Sequence, residues 1–329
     1  MVLGRRFVLK QHFEGSPKPE DFDLVEEELP PLKENEIQFR ALFLSVDPYM
    51  RPYTKRMTLP ITMIGGAVGV VEQSKNKDFP VGCTIVHMCG WAERGVVNPS
   101  GKGRVQKAAD MGNLSKSLLL GVCGMPGNTA YFGLKEICGP KPGETVVVSG
   151  AAGAVGNLVG QIAKNMGCRV IGFAGTDEKC TWLKSIGYDE AFNYKKCGVA
   201  ESLAKAAPAG VDCYFDNVGG EMSAAVMAAM NTRGRVAVCG AISHYNEVGG
   251  YSKVTDVLPL CVGKELRVEG FLVGRWADRW MEGVSAMAAM VMKGDIKVQE
   301  TVVEGFEKMP RAFMGLFTGD NTGKMIVKA

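Results

Sequence analysis

The chain has 329 residues, of which 46% are hydrophobic and 22% are charged, and its net charge is +3. This length predicts two domains, and the composition excludes disordered and fibrous chains. The positive charges are spread along the chain rather than gathered into one basic block, so nucleic acid is not expected as a partner.

The sequence gives no sign of membrane insertion or secretion. No apolar run reaches the roughly 18 residues that a membrane helix needs, and Arg5 and Arg6 are not followed by an apolar core of signal-peptide length. The ten cysteines form no Cys-x-x-Cys pair, and several of them, such as Cys239, lie in apolar runs. We therefore expect a cytoplasmic protein whose cysteines are buried free thiols.

The beginning and the end of the chain are predicted to be rich in β-structure. Short apolar segments bounded by proline and glycine turn signals lie at residues 36–45, 66–73 and 83–89, and β character returns at 299–303 and 325–327. We expect residues 1–122, completed by 297–329, to form one β-rich domain.

Residues 123–296 are predicted to form a doubly wound α/β domain with a parallel sheet. Apolar strands, glycine-bearing turns and amphipathic helices alternate there, which is typical of this fold class. The predicted strands are residues 145–149, 169–174, 190–194, 211–217, 235–240 and 266–273. The last strand offers an edge with which a second copy of the chain could pair, so a homodimer is left open.

The first connecting helix is predicted from the spacing of Val155, Val159, Ile162 and Met166. Positions i, i+4, i+7 and i+11 form one apolar stripe on an α-helix, and this stripe can pack on a sheet. Gly167 follows where the helix should stop.

A glycine-rich turn lies between the first of these strands and this helix. Its pattern is Ala151-x-Gly153-x-x-Gly156, with alanine at the first glycine position of the dinucleotide-binding motif. Gly153 lets a pyrophosphate approach the backbone, Gly156 allows close packing of helix on strand, and the helix N-terminus attracts an anion. A plain tight turn is the alternative. We interpret the segment as a pyrophosphate site formed by Ala152, Gly153, Ala154, Val155 and Gly156.

The end of the second strand decides between NAD and NADP. NAD sites of this kind have an Asp or Glu there, which accepts hydrogen bonds from the adenosine ribose, whereas this chain has Ala174 followed by Gly175 and Thr176. Lys179 lies one turn into the next helix, where its ammonium group could bind a 2′-phosphate. NADPH is therefore the expected cofactor. The alternative is a plain helix start, with Thr176 as the N-cap and Lys179 as a solvated side chain.

The sequence shows no metal-ligand pattern. Catalytic zinc needs Cys, His and acidic ligands that converge on one point, but residues 63–66 read MIGG where a Gly-His-Glu segment would be expected, and His12, His87 and His244 share no ligand spacing. Without a metal, hydride addition to a conjugated double bond is the more natural reaction. Neither a Gly-x-Ser-x-Gly elbow nor a Walker lysine is present, so hydrolases and kinases are not indicated.

Six motifs occur in one order along the whole chain. They are DPYMR at 47–51, MPGNTAY at 125–131, AAGAVG at 151–156, FDNVGG at 215–220, CGAIS at 239–243 with Tyr245, and GDN at 319–321. Together they resemble the zinc-independent reductases of the medium-chain dehydrogenase/reductase family. The resemblance implies a GroES-like, β-rich catalytic domain and a Rossmann domain that binds NADPH.

The same resemblance implies a reaction and its substrates. Such reductases use NADPH to reduce the α,β double bond of enones and enals, including 15-oxo-prostaglandins and lipid-derived alkenals. Oxidation of the 12-hydroxyl of leukotriene B4 with NADP would be a second activity. Two alternatives stay open: a quinone oxidoreductase of the same fold, and a non-enzymatic protein that binds NADPH.

Roles for individual residues also follow from the resemblance. Lys179 and Tyr194 would hold the adenosine phosphate end of the cofactor. The nicotinamide side would be flanked by Asn217, Cys239, Gly240, Ala241, Ile242, Ser243, His244 and Tyr245, and the cleft completed by Phe271, Leu272, Val273 and Asn321.

Two tyrosines are the candidate catalytic residues. Tyr245 is the candidate donor to the oxygen on which negative charge collects during reduction, and packing against the cofactor alone is the alternative. Tyr49 is assigned to the substrate pocket, with core packing as the alternative.

One segment departs from the family. Between Tyr245 and Leu266, mammalian relatives carry a proline-rich stretch and a tyrosine, whereas this chain has GGYSK at 249–253 and VGK at 262–264. The rim of the substrate pocket, and hence the preference between prostaglandins and smaller enals, is left open.

Overall fold

The computed structural model describes residues 2–101, 105–248 and 255–329. The chain divides into unit 1, which comprises Met1–Leu120, Glu300–Asn321 and Met325–Ala329, and unit 2, which comprises Gly121–Gln299 and Thr322–Lys324. Unit 1 differs from the expected domain of residues 1–122 and 297–329 chiefly because Thr322–Lys324 groups with unit 2.

The described elements alternate between strands and helices in most of the chain. The strands are β1 (Leu3–Leu9), β2 (Phe22–Glu28), β3 (Ile37–Ser45), β4 (Ile61–Thr62), β5 (Ala67–Ser74), β6 (Thr84–His87), β7 (Arg94–Val97), β8 (Val105–Lys107), β9 (Thr145–Val148), β10 (Arg169–Ala174), β11 (Glu190–Asn193), β12 (Val211–Asp216), β13 (Met230–Val238), β14 (Arg267–Gly270), β15 (Glu300–Glu304) and β16 (Lys324–Lys328). The helices are α1 (Met50–Thr54), α2 (Met125–Phe132), α3 (Gly156–Asn165), α4 (Asp177–Ser185), α5 (Val199–Ala206), α6 (Gly220–Ala228), α7 (Leu258–Gly263), α8 (Trp280–Lys293) and α9 (Met309–Thr318). Among the helices described, none combines the length and the apolar character needed to cross a membrane.

Unit 1 consists mainly of antiparallel β-structure, as predicted. One sheet has the strand order β15-β16-β3-β5-β6-β8, with β7 paired to β3, and a second has the order β2-β1-β4. An aromatic core lies between these strands and α9, and its ring pairs include Phe7–Trp91, Phe22–Trp91 and Phe13–Phe313.

Seven elements of unit 1 are absent from the sequence-based prediction: β1, β2, β4, β7, β8, α1 and α9. In β1, Phe7 and Leu9 are buried, but Arg5 and Arg6 precede them and mask the alternation. Their guanidinium groups form ion pairs with Glu93, just before β7, and with Glu27 on β2. The tail was expected to be β-structure, and α9 corrects this. Pro310 lies in the first turn of α9, where the missing N–H of proline costs no hydrogen bond.

The strands of unit 2 form one parallel sheet, in the order β11-β10-β9-β12-β13-β14 among the residues described. The path through this sheet starts at the central strand β9, continues outward to β10 and β11, and then crosses back to β12, β13 and β14 on the other side of β9. This reversal creates a crevice outside the carboxyl ends of β9 and β12, where open α/β sheets bind their ligands. The predicted doubly wound sheet is therefore confirmed.

The predicted last strand, residues 266–273, is too long. β14 ends at Gly270, and a 3-10 turn, Val273–Arg279, begins shortly afterwards. Phe271 lies between the two and packs against Phe215 and Trp276, with ring centroids 6.1 and 5.6 Å apart. Aromatic packing therefore contributes to the position of this segment beyond the end of the strand.

The predicted helix after β9 is confirmed as α3. Val159 and Ile162 of the apolar stripe are buried, while Val155 and Met166 lie at the two caps. Gly167 has a φ of +81°, a left-handed conformation that ends the helix.

A buried tyrosine fixes α3 against β10. The ring of Tyr188 fills the space left by Gly160 on α3 and Gly172 on β10, since an added Cβ would lie 2.0 Å from the ring at Gly160 and 2.7 Å from it at Gly172. The Tyr188 hydroxyl donates a hydrogen bond to Gly156 O at 2.7 Å. The first residue of α3 is thereby held in place.

All ten cysteines are free thiols, and most are shielded from solvent. Five are buried and four are half-buried, but Cys197 is exposed between β11 and α5, contrary to the expectation of buried thiols throughout. Burial raises the pKa of the Cys123 thiol to about 11. Burial, together with the nearby Asp216 carboxylate, raises the pKa of the Cys239 thiol to about 12.

We expect Gly160→Ala to destabilise the protein, because the new methyl group would overlap the Tyr188 ring. Overpacking of this kind costs about 1–3 kcal/mol, which lowers the midpoint of thermal unfolding. Gly263→Ala is the matched control, since Gly263 also lies in a helix and a Cβ there meets nothing within 4 Å. Equal midpoints for the two variants would contradict the packing.

Candidate functional site

Three glycines shape the turn between β9 and α3. Gly150 has a φ of +57°, and a Cβ at Gly156 would lie only 2.5 Å from Gly150 O. Gly153 is different, because the one described atom near its Cβ position is Gly150 O at 3.2 Å. Backbone conformation explains Gly150 and close packing explains Gly156, whereas at Gly153 Gly150 O is the one described protein atom within 4 Å of the Cβ position.

Protein donors occupy the carbonyl oxygens of this turn. Asn157 Nδ2 donates a hydrogen bond to Gly153 O (2.6 Å), Tyr188 Oη donates one to Gly156 O (2.7 Å), and Gly323 N donates one to Ala152 O (2.8 Å). Carbonyl oxygens that are bonded internally do not turn toward an incoming anion. The first N–H groups of α3 and the positive end of its dipole supply the attraction.

Strand β12 ends in a buried acid next to this turn. Asp216 Oδ1 accepts hydrogen bonds from Ser149 Oγ (2.9 Å), Tyr214 Oη (2.8 Å), Val218 N (2.9 Å) and Gly219 N (2.9 Å). Burial raises the pKa of Tyr214, and the Asp216 charge adds to this effect, so the hydroxyl stays a donor. The Asp216 carboxylate therefore holds the loop after β12 against the end of β12 and links it to Ser149, which directly follows β9.

The loops that follow β12 and β13 are joined by hydrogen bonds. Ser149 holds Asn217 in the first loop through the backbone N–H (2.9 Å) and the side-chain amide (2.8 Å) of Asn217. Donors of the second loop reach carbonyls of the first: Cys239 N and Gly240 N bond to Asp216 O (2.8 and 3.1 Å), Ile242 N to Asn217 O (3.3 Å), and Ser243 Oγ to Val218 O (2.6 Å). The predicted nicotinamide-side residues thus lie together at the carboxyl end of the sheet.

Tyr245 folds over the second loop. Its hydroxyl oxygen accepts a hydrogen bond from Ala241 N at 3.3 Å, and it would lie 3.0 Å from a Cβ at Gly240. His244 Nδ1 lies 3.1 Å from Glu247 Oε1. The backbone of the loop therefore holds the phenol that the sequence suggests as a donor.

The end of β10 carries the predicted adenosine-side residues. β10 ends at Ala174, and Thr176 caps α4 by accepting a hydrogen bond from Lys179 N at 3.2 Å. The plain N-cap geometry is therefore present, and it sets Lys179 in the first turn of the helix. The Tyr194 hydroxyl would lie 3.4 Å from a Cβ at Gly175, so Lys179 and Tyr194 both lie near the carboxyl end of β10.

The acid in this turn is paired with a cation. Asp177 accepts a hydrogen bond from Asn193 Nδ2 at 2.7 Å and forms an ion pair with Lys196. The hydrogen bond from Lys196 is the main cause that lowers the pKa of Asp177. The ion pair offsets the negative charge that would otherwise repel a phosphate near Lys179.

Two predicted site residues belong to unit 1. Tyr49 precedes α1, is half-buried, and contacts the Tyr53 ring at a centroid distance of 5.2 Å. Burial raises the pKa of Tyr49, and the Asp47 carboxylate and Tyr53 add to this effect, so its phenol stays protonated. Asn321 is half-buried and is the last residue of its unit 1 segment.

The remaining predicted residues follow β14. Phe271 N donates a hydrogen bond to Val238 O at 3.3 Å, which keeps Phe271 next to the end of β13. Leu272 is 66% exposed, and Val273 begins the 3-10 turn. In the divergent segment, residues 249–254 lie outside the described part of the chain.

Metal ligands are not grouped in the part of the chain that the structure describes. Across residues 2–101, 105–248 and 255–329, no set of three or more His, Cys, Asp or Glu side chains could hold a metal ion. Burial lowers the pKa of His87 to about 3, and its ring packs on Phe39 at 4.2 Å. This histidine is a neutral core side chain.

Comparison with known proteins identifies the family. The family described as the N-terminal domain of oxidoreductase matches residues 5–105, and the family described as zinc-binding dehydrogenase matches residues 154–289. The chain is 48% identical to prostaglandin reductase 1 of Rattus norvegicus over the whole of both chains. The chain belongs to the medium-chain dehydrogenase/reductase family. It is also 38% identical to the NADP-dependent 2-alkenal reductase of Nicotiana tabacum, over 99% of this chain and 97% of that one.

A solved structure of this family carries the cofactor. The fold matches CurA of Vibrio vulnificus in complex with NADPH with a TM-score of 0.91, at 37% identity over 99% of each chain. This medium-chain reductase is thus an NADP-dependent oxidoreductase of the double-bond reductase type, and its cofactor is NADPH. The alternative of a non-enzymatic NADPH-binding protein is set aside.

Three residues of the site were given no role in the sequence analysis: Asp216, which lies inside the motif FDNVGG, Tyr188 and Gly323. Asp216 carries a recognisable signal, since it is an acid directly after the buried pair Tyr214 and Phe215 at the end of a strand. Tyr188 and Gly323 carry none, because the groups that they contact are distant in the sequence.

We expect Asp216→Asn to weaken NADPH binding, because an amide lacks the charge that holds four donors. A hydrogen bond to a charged group contributes about 1.5–3 kcal/mol, so the dissociation constant should rise roughly ten- to a hundredfold. Titration of protein fluorescence with NADPH measures this.

Asp212→Asn is the matched control for this variant. Asp212 lies on the same strand at its opposite end, where it accepts hydrogen bonds from Thr145 N (2.8 Å) and Asn231 Nδ2 (2.8 Å). It should lose stability without a change in NADPH affinity. Similar losses of affinity in both variants would show that Asp216 acts only on overall stability.

Proposed function

We propose that this reductase uses NADPH to reduce the α,β double bond of enones and enals, with 15-oxo-prostaglandins and lipid-derived alkenals as its substrates. Oxidation of the 12-hydroxyl of leukotriene B4 with NADP is proposed as a second activity. The names of its relatives, prostaglandin reductase 1 and 2-alkenal reductase, support these substrate classes. The observation that carries the proposal is the joined pair of loops at the carboxyl ends of β12 and β13, beside a turn with open space at Gly153.

We assign the cofactor to the carboxyl edge of the sheet in unit 2. The pyrophosphate is assigned to residues 152–156, because the turn combines an accessible backbone at Gly153 with the N-terminus of α3. The adenosine phosphate is assigned to Lys179 and Tyr194. The nicotinamide is assigned to Asn217 and residues 239–245, and the rest of the cleft to residues 271–273 and Asn321.

Tyr245 is proposed as the donor to the substrate oxygen. NADPH supplies a hydride when bound, and its addition to an enone leaves negative charge on the carbonyl oxygen. The Tyr245 oxygen accepts a hydrogen bond from Ala241 N, which polarises the phenol and makes its own proton a better donor. A group of this kind stabilises the developing charge.

Tyr49 is proposed as part of the substrate pocket. Its phenol remains neutral because of burial and the nearby Asp47 charge. It can therefore offer a hydrogen-bond donor or an apolar ring face to a lipid substrate without carrying a charge.

The activity is tested by following NADPH consumption with enones, enals, quinones and alcohols, with product analysis to show which bond is reduced. We expect turnover of a 15-oxo-prostaglandin and of 2-nonenal with reduction of the C=C bond alone. Tyr245→Phe should lower kcat for both about a hundredfold, the usual cost of losing one such donor. Preferred turnover of quinones would favour the quinone oxidoreductase alternative, and near-parental rates in Tyr245→Phe would exclude the donor role.

Lys179→Ala should raise the Michaelis constant for NADPH while hardly changing that for NADH. A charged hydrogen bond of about 1.5–3 kcal/mol corresponds to roughly a ten- to hundredfold effect. Lys184→Ala is the matched control, because Lys184 lies on the same helix and pairs with Glu190 at 2.8 Å. Steady-state kinetics with both cofactors measures the two Michaelis constants. Equal increases for NADPH and NADH would refute the assignment of Lys179 to the 2′-phosphate.

A further inference from the structure

A short segment near the C-terminus lies against the phosphate turn. Thr322–Lys324 belongs to unit 2, although the segments on both sides of it belong to unit 1. Gly323 forms a parallel β-bridge with Gly153 and donates its N–H to Ala152 O at 2.8 Å. Lys324 N donates to Gln299 O at 3.0 Å. We name Thr322–Lys324 the strap.

The strap needs glycine at its centre for two independent reasons. Gly323 is buried and has a φ of +70°, which L side chains rarely adopt. In addition, a Cβ at this position would lie 2.0 Å from Gln299 O, a backbone atom that cannot turn aside as a side chain would. Any larger residue would therefore push the strap away from Gln299 or from the phosphate turn.

The hydrogen bond from Gly323 determines the orientation of one peptide unit in that turn. With Ala152 O held by Gly323 N, the N–H of the same peptide, that of Gly153, points to Gly150 O at 3.0 Å. This peptide is adjacent to the open space at Gly153 and to the start of α3. If the strap withdrew, Ala152 O would lose its hydrogen-bond donor, and the peptide could rotate so that its carbonyl oxygen faced the pyrophosphate. A carbonyl oxygen in that position repels an anion.

We propose that the strap is a positioning element of the NADPH site: Gly323 holds the phosphate turn in the conformation that accepts the pyrophosphate. The inference rests on the proposed assignment of residues 152–156 to that group. The coupling is reciprocal: if the docked strap strengthens NADPH binding, NADPH binding stabilises the docked strap by the same factor. Bound NADPH must therefore stabilise the strap.

The first test compares Gly323→Ala with Gly294→Ala in the full-length protein. Gly294 has a φ of +82°, and a Cβ there meets nothing within 4 Å, so this control carries similar backbone strain without a collision. We expect the dissociation constant of NADPH to rise about tenfold or more in Gly323→Ala, within the usual range of coupling between sites, and to stay at the parental value in Gly294→Ala. At saturating NADPH, kcat of Gly323→Ala should remain close to that of the parent. Equal affinities in the two variants would overturn the proposal.

The second test uses the unaltered protein and decides the matter if Gly323→Ala does not fold. Hydrogen–deuterium exchange is measured with and without NADPH for peptides that cover residues 151–156 and 322–324. We expect NADPH to slow exchange in both segments. Slower exchange at 151–156 alone would overturn the role of the strap. Unchanged exchange in both segments would overturn the assignment of NADPH to the turn, and the strap with it.

Discussion

One carboxylate oxygen, Asp216 Oδ1, holds together the edge of the sheet on which the candidate site depends. It is buried, and a buried charge is costly unless hydrogen bonds replace the lost water. Two hydroxyl groups and two backbone N–H groups do so here. These donors come from the turn after β9, from β12 and from the loop after β12, so satisfying the charge requires all three segments to meet. The loop after β13 then attaches to this assembly through Asp216 O. The position of the residues that we propose to flank the nicotinamide is thus a consequence of burying one acid at the point where the strand order reverses.

The parts of the fold that the sequence predicts are those determined by near neighbours. The stripe of Val159 and Ile162 follows the helical period, and Gly167 ends the helix because only glycine tolerates its backbone conformation. The glycine-rich turn is recognisable since its strand, glycines and helix are consecutive. The preference for NADPH is also predicted from near neighbours, since no Asp or Glu directly follows Ala174 at the end of its strand. The alternation of strands and helices then limits unit 2 to a doubly wound sheet.

The parts that the sequence does not predict depend on contacts between distant residues or on charges that hide a pattern. In β1, Phe7 and Leu9 alternate as a strand requires, but Arg5 and Arg6 look like solvated residues until their partners Glu93 and Glu27 are known. Tyr188 cannot be recognised as the residue that locks α3 until Gly160 and Gly172 are seen on either side of its ring. The strap is the extreme case, since Gly323 acts on a turn in the other half of the chain. Local propensity carries no information about such pairs.

The protonation state of the thiols bears on the proposed reaction with enals. Conjugated aldehydes alkylate sulfur, and they attack the thiolate far faster than the thiol. Cys239 lies on the loop directly after β13, and with a pKa of about 12 only about one such group in a hundred thousand is ionised at neutral pH. Burial beside a fixed negative charge therefore keeps the Cys239 thiol in the form that reacts slowly with the proposed enal substrates. Cys197 is exposed between β11 and α5 and lacks this burial.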